Sequence, residues 1–368
     1  MQKVESYIQG KWATGDDVGT PLLDAVSGEV VAVSSAEGFD LGAVLEYGRS
    51  VGNPALRKLT FQQRGMLLKK LAQRLLKRKD RFYALSSRTG ATRADSWVDI
   101  EGGIGNLFAY AALRKQFPNQ PFHVEGDAVA LSRGGSFMAH HIMVPRRGDA
   151  LHINAYNFPV WGMLEKCAVN WMAGVPAVVK TAVPGSFLTA LVVREIIDSG
   201  ILPEGALQLV SGEAHTILNH VQTEDVVTFT GSATTGRKLK VHPQIVAAAV
   251  PFNLEADSLN AAVLGPGALP GTPEFELFVK EVRKEMTSKC GQKCTAIRRI
   301  IVPEAQLDAV QAALQQQLAR TVIGNPAHKT VRMGALIGRD QRQTLRERVN
   351  LLRESAEMVY GTLEPIDL

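Results

Sequence analysis

Cysteine is scarce, with three residues in a chain of 368, at positions 167, 290 and 294. So few thiols exclude a disulfide-built fold and suit a reducing compartment, and the cytoplasm is the expected location. No apolar run is long enough to span a bilayer, and the N-terminus MQKVESYIQGKW has no apolar core of a secretory signal, so no membrane role is expected. Charge excess is small, +5 from 41 basic and 36 acidic residues, which gives no reason to expect a nucleic-acid partner. The G-x-G-x-x-G dinucleotide fingerprint is missing as well. Zinc needs three or four ligands, while Cys290 and Cys294 supply two and none of the eight histidines lies near them in sequence. No metal is expected.

What is present is a globular composition, 45% hydrophobic and 21% charged, enough for more than one core. Thr60 with Gln63 makes a capping-box pattern ahead of a helix over Arg64 to Phe82, whose basic run Lys69 to Arg81 reads as its wet side. After Gly148, short apolar strands alternate with helices: VPAVVK, a helix capped by Ser186, LQLVSG, then DVVTFTGSATTGRKL. That alternation predicts a parallel α/β architecture. The pattern restarts after Asn260, where Thr272 caps a helix with Pro273 in its first turn and Phe275, Phe278, Val279, Val282 and Met286 share a face. A second α/β domain therefore begins near residue 260.

The chemistry concentrates in TSKCGQKCTAIRR, Thr287 to Arg299. Two cysteines four apart can be a metal clamp, a disulfide, inert core residues or one nucleophile with a bystander. Lys289, Lys293, Arg298 and Arg299 favour a thiolate if their side chains approach the sulfur. Asn157, in INAYNFPVWG, is a polar residue among apolar ones and can donate to an oxyanion. Glu255, in PFNLEADSLN, becomes a useful base if partial burial raises its pKa. The FTGSATTG turn, Phe229 to Gly236, offers backbone N–H groups and the Ser232 hydroxyl to a pyrophosphate, and Lys180 ends a strand where a ribose or phosphate can be reached.

INAYNFPVWGMLEK, PAVVKTA, VVTFTGSATTG, LEADSLN and GQKCTAIRR together resemble the aldehyde dehydrogenase superfamily, in family order and essentially end to end. The branch they resemble acts on CoA-linked semialdehydes in aerobic phenylacetate or benzoate degradation. The resemblance implies an aldehyde dehydrogenase-like α/β fold. Residues 1–259 would form a Rossmann-like NAD(P)-binding domain, with an oligomerisation segment near 132–147, and 260–368 an incomplete catalytic domain. It also implies that Cys294 is the nucleophile and Cys290 the bystander, that Glu255 activates the hydrolytic water, and that Asn157 completes the oxyanion hole. Lys180, Gly212, Phe229, Gly231 and Ser232 would line the cofactor, and a CoA-linked aldehyde would be the substrate. Two other readings follow from the same resemblance, a CoA-acylating dehydrogenase and a truncated nucleotide-binding remnant.

Two departures from the family pattern carry expectations of their own. Many NAD-preferring members hold a carboxylate three residues after the lysine, where this chain has Val183, so NADP is the preferred cofactor, with NAD possible. The sequence ends at TLEPIDL, before the E-x-F-G-P segment that positions the nicotinamide ribose and before the C-terminal strand used in assembly. Retained nucleotide binding, little oxidation and heterogeneous association, instead of the homo-oligomer of full-length relatives, are therefore expected.

Overall fold

A computed structural model describes residues 2–364, so residues 365–368 of the expected second domain lie outside the described residues. The chain divides into two compact units. One holds the residues up to Leu22, then Ala32–Phe82 and Val98–Glu255; the other holds Leu23–Val31, Tyr83–Trp97 and the chain from Ala256 onward.

The first unit is built on a seven-stranded sheet. Its order is Phe252–Ala256, Val226–Gly231, Ala150–Ile153, Ala177–Lys180, Leu207–Val210, Ser6–Ile8 and Lys11–Ala13. The four strands from Val226–Gly231 to Leu207–Val210 run parallel, while Ser6–Ile8 joins antiparallel. Leu151, Val178, Val179, Leu209 and Val210 are buried, as expected of parallel strands covered on both faces. Leu151, Val178, Val210 and Val227 belong to a core that includes Val44, Leu45 and Ile217.

Helices Phe61–Leu76, Gly103–Leu113, Pro159–Ala173 and Ser186–Asp198 pack in this unit, with Pro159–Ala173 touching each of the other three. Thr60 and Gln63 form the reciprocal capping box predicted for the first of them. The long helix expected through Phe82 breaks after Leu76 and resumes at Lys79. Its apolar face persists across the break, since Leu68, Leu71, Leu75 and Phe82 are all fully buried. Each such side chain contributes about 1.5–3 kcal/mol by burial. Helix Pro159–Ala173 ends at Gly174 in the left-handed region, at φ 83°, where an added Cβ would lie 2.7 Å from Arg64 Nη1.

Ser186 differs from expectation. The cap position belongs to Gly185, at φ 77°, and Ser186 is the first helical residue, buried, with its N–H on the Val183 carbonyl. Glycine reaches the left-handed conformation without a Cβ penalty, so the turn needs no serine cap.

His123–Ala130 and Met138–Met143 pair as an antiparallel ribbon exposing Val129, Met138 and Ile142, with Phe137 exposed beside them. This ribbon overlaps the 132–147 segment.

In the second unit, strands Asn260–Val263 and Ile297–Ile301 run parallel. Helices Pro273–Thr287 and Leu307–Ala319 pack on each other, with Phe275, Val279, Val282, Val310, Leu314 and Leu264 as the core. Thr272 caps the first of these helices with Pro273 in its opening turn, as predicted. Met286, expected on its buried face, is exposed, because the buried stripe of this helix is centred on Phe275, Val279 and Val282.

Candidate active site

Strand register sets Phe229, Ile153, Lys180 and Val210 in one row across the parallel strands of the first unit. The turns following that row lie at the carboxyl end of the sheet, where open α/β sheets bind ligands. Lys180 ends its strand half-buried; desolvation lowers its pKa, with the Glu213 carboxylate acting in the opposite sense. A cation disfavoured by burial is held best by an added anion.

Gly212 follows strand Leu207–Val210 at φ 116°, and a Cβ there would lie 2.6 Å from the Ala36 backbone nitrogen, so only glycine fits this turn. Ser232 caps helix Ala233–Lys240 by accepting the Thr235 N–H at 3.2 Å. Gly231 precedes it, with the Phe229 ring 2.5 Å from where a Cβ would stand. Phe229 itself is buried, packed under the turn.

Several polar atoms at this end have no hydrogen-bond partner among the described residues. They are both amide atoms of Asn154 and the hydroxyls of Thr181, Ser186, Ser211 and Thr230. Such orphans call for a polar ligand or its bound water to complete them. A phosphate- and hydroxyl-rich dinucleotide fits that need, and it fits the half-buried cation Lys180 and the apolar Val183.

Asn157 lies between strand Ala150–Ile153 and helix Pro159–Ala173, half-buried. Its Oδ1 accepts the Phe158 N–H at 3.1 Å. Asp99, which sequence reasoning missed, fixes the start of the helix that follows. Its Oδ1 accepts the N–H groups of Val160 at 3.0 Å and Trp161 at 2.8 Å. A buried carboxylate on these first-turn donors also suits the helix dipole.

Glu255 corrects the expectation of partial burial. It is exposed on strand Phe252–Ala256, whose alternation turns Phe252, Leu254 and Ala256 to the less exposed side and Asn253 and Glu255 to solvent.

The second unit carries the nucleophile candidate. Cys294 is exposed, and none of the three cysteines forms a disulfide. The Cys294 carbonyl is held by the Ser258 hydroxyl and by Asn260 Nδ2 at 2.6 Å. Both donors come from the LEADSLN stretch, in which sequence reasoning had singled out only the glutamate.

Upstream, Lys289, Cys290 and Gly291 have φ values of 52°, 55° and 70°. Left-handed backbone costs a non-glycine residue roughly 1–2 kcal/mol. The Cys290 thiol donates to the Gly334 carbonyl at 3.1 Å, and burial, aided by the Asp95 charge, pushes its pKa up to about 12.

The cations around the pair have structural partners. Lys293 pairs with Glu285 at 2.8 Å, Arg298 donates to the Gly291 carbonyl at 2.6 Å and Arg299 to the Leu259 carbonyl at 2.7 Å. Lys289 is buried, with Nζ 3.4 Å from Thr89 Oγ1. Arg298 and Arg299 thus brace the loop backbone, while Lys289 and Lys293 meet other side chains. Among the described residues no group of three or more His, Cys, Asp or Glu comes together to hold a metal ion.

Residues 13–366 match the aldehyde dehydrogenase family. A 3,4-dehydroadipyl-CoA semialdehyde dehydrogenase from Aromatoleum evansii is 41% identical over 99% of this chain and 72% of its own length. The chain belongs to the aldehyde dehydrogenase family. Solved structures show the same fold. A 3,6-anhydro-L-galactose dehydrogenase superposes with a TM-score of 0.87 at 21% identity, over 98% of this chain and 73% of its own. Betaine aldehyde dehydrogenase from Staphylococcus aureus, solved in complex with NAD+, gives 0.86 at 20% identity over 97% and 69%. The expected α/β fold of the aldehyde dehydrogenases is therefore established. Among the described residues no helix is long and apolar enough to cross a membrane.

Proposed function

We propose that the protein oxidises a CoA-linked semialdehyde to the carboxylic acid, with Cys294 as nucleophile and NADP as the preferred cofactor. The contrast between the two loop cysteines carries this reading. Cys294 is exposed on a braced backbone, whereas the Cys290 thiol is tied to a carbonyl and held protonated by burial. Only the former suits nucleophilic attack. The CoA-linked substrate class is supported by the 41%-identical relative's activity, and aromatic catabolism by the branch that GQKCTAIRR and LEADSLN resemble.

In this reading the Cys294 sulfur adds to the aldehyde carbon, and the family resemblance assigns the Asn157 amide and the Cys294 N–H as the donors to the oxygen that gains charge. Such a donor is worth about 10²–10³ in rate. Lys180, Gly212 and the Gly231–Ser232 turn hold the cofactor, over a base shaped by Phe229. When bound, the nicotinamide supplies a hydride acceptor that no side chain can provide. Cys294 then carries the acyl group as a thioester. Glu255, the base that the family resemblance assigns rather than one tuned by burial, takes a proton from the water that releases the acid.

Domain roles follow from the same assignment. Residues 1–259 bind cofactor, except for Leu23–Val31, Tyr83–Trp97 and Ala256–Leu259, which belong to the second compact unit; assembly runs through the segment near 132–147, and 260–368 carry the nucleophile.

The deciding test incubates the chain with a CoA-linked semialdehyde and each nicotinamide cofactor, following cofactor reduction and separating the products. Reduction with NADP and a free carboxylate product is expected. A second thioester as product, formed with added CoA, would replace hydrolysis by acylation. Nucleotide binding with no aldehyde-dependent reduction would make the chain a binding remnant.

A further inference from the structure

The left-handed turn at Lys289–Gly291 stands three residues before Cys294 and is held from two sides of its own unit. On one side, the Cys290 thiol reaches the Gly334 carbonyl, while Gln292 donates to the Lys289 carbonyl at 2.9 Å and accepts the Ile337 N–H at 3.1 Å. On the other side stands Asp95. Its Oδ1 accepts the Lys289 N–H at 2.9 Å, and its Oδ2 accepts the Thr92 N–H at 3.0 Å and the Thr92 hydroxyl at 2.7 Å. Thr92 in turn accepts the Asp95 N–H at 3.2 Å, so the carboxylate is oriented before it meets the turn. Asp95, Thr92 and Lys289 are all buried, so water does not compete for these bonds.

Three donors converge on the two Asp95 oxygens. An asparagine would bring an amide nitrogen, a donor, against either Thr92 or Lys289, so the site needs the carboxylate. Two consecutive non-glycine residues in the left-handed region persist only when their surroundings over-determine them, and such strain recurs at functional sites.

We propose that Asp95 is a positioning residue for Cys294. By gripping the Lys289 N–H it fixes the strained turn from which the nucleophile's backbone departs, and the Ser258–Asn260 clamp on the Cys294 carbonyl sets the other end. The proposal rests on the reading of Cys294 as the nucleophile. Asp95 touches no reacting atom; it acts through the turn.

The test compares the parent chain with Asp95→Asn, the milder Thr92→Val and the double variant Asp95→Asn/Cys290→Gly, each below its own melting transition. Iodoacetamide alkylation of Cys290 and Cys294 is followed peptide by peptide, beside kcat and KM. In the parent, Cys290 should react at least about 100-fold more slowly than Cys294, because it is protonated and tied. Asp95→Asn should shrink that ratio to about tenfold and lower kcat by about tenfold, with KM changed less than about threefold, the pattern of lost positioning. Thr92→Val should move both readouts in the same direction by less. Glycine at 290 occupies the left-handed turn without a clamp, so the double variant should regain kcat over Asp95→Asn, which general destabilisation would not allow.

Unchanged Cys290 protection in both Asp95→Asn and Thr92→Val overturns the proposal, as does a kcat loss that glycine at 290 leaves untouched. If the parent shows no turnover, the function assigned to Cys294 fails, while the alkylation ratio still decides whether Asp95 holds the turn.

Discussion

Asn260 Nδ2 donates to the carbonyl oxygen of Cys294 across 2.6 Å, and also to the Ala296 carbonyl at 3.2 Å. One amide therefore ties the backbone on either side of Thr295, just before strand Ile297–Ile301. Asn260→Ala removes both bonds and leaves the Ser258 hydroxyl alone on Cys294. A loss of about 1–2 kcal/mol in positioning corresponds to roughly a 5–30-fold fall in kcat. Asn260→Asp should be worse than alanine, because it sets a carboxylate against two carbonyl oxygens. Steady-state kinetics of the two variants check the order; aspartate matching the parent would remove the clamp from the site.

The two loop cysteines should separate cleanly by reactivity. Near neutral pH the Cys290 thiol, with its pKa pushed up to about 12, is almost wholly protonated. Cys294→Ala should abolish oxidation and most rapid iodoacetamide uptake, whereas Cys290→Ala should keep most of both. Faster alkylation at Cys290 in the folded parent would mean that the other sulfur had been mistaken for the nucleophile.

Glu255 is exposed on its strand, so Glu255→Gln should leave the fold and cofactor binding intact. Its effect should fall on deacylation: a burst of reduced cofactor survives while release of acid slows. Rapid-mixing kinetics report this directly. A vanished burst with unaltered nucleotide binding would assign Glu255 to a step before the thioester.

Val183 stands in the turn between Lys180 and helix Ser186–Asp198. A carboxylate there would repel a 2′-phosphate and offer acceptors to ribose hydroxyls. Val183→Glu should therefore lower kcat/KM with NADP by about tenfold or more and raise it with NAD. Lys180→Ala should weaken both, and NADP more. Equal use of the two cofactors by parent and Val183→Glu would leave no role for charge at this turn.

Local chemistry made some of this legible in the sequence. The Thr60–Gln63 box and the Thr272–Pro273 helix start depend on residues a few positions apart, and the parallel strands are legible as short apolar runs alternating with helices. The structure bears each of them out. Elements whose partners are distant were not legible. Nothing near Asp95 signals that its carboxylate meets Lys289, 194 positions on, and Ser258 and Asn260 gain a purpose only from a carbonyl more than thirty residues later. Glu255 misled for a related reason: apolar neighbours suggested burial, but alternation along the strand decides which side faces water.

His152 gives the fold an acid limit. It is fully buried on strand Ala150–Ile153, its Nε2 is 2.5 Å from Asn170 Nδ2, and its Nδ1 faces Cys167 Sγ at 3.9 Å. Burial chiefly, with help from the Lys166 charge, lowers its pKa to about 3. The unfolded chain's histidine titrates near about 6.5, so between those values the unfolded state binds the extra proton. Stability must then rise with pH across that window and be lost as pH falls through it. Between pH 7 and about pH 4.5 this one group accounts for roughly 2–3 kcal/mol of lost stability. In His152→Gln that contribution disappears, so the variant, although less stable at pH 7 because its packing is altered, should lose less stability on acidification than the parent. Urea unfolding at the two pH values measures both slopes. Parallel acid losses in parent and variant would show that His152 is protonated in the native protein or is not the group that sets the limit.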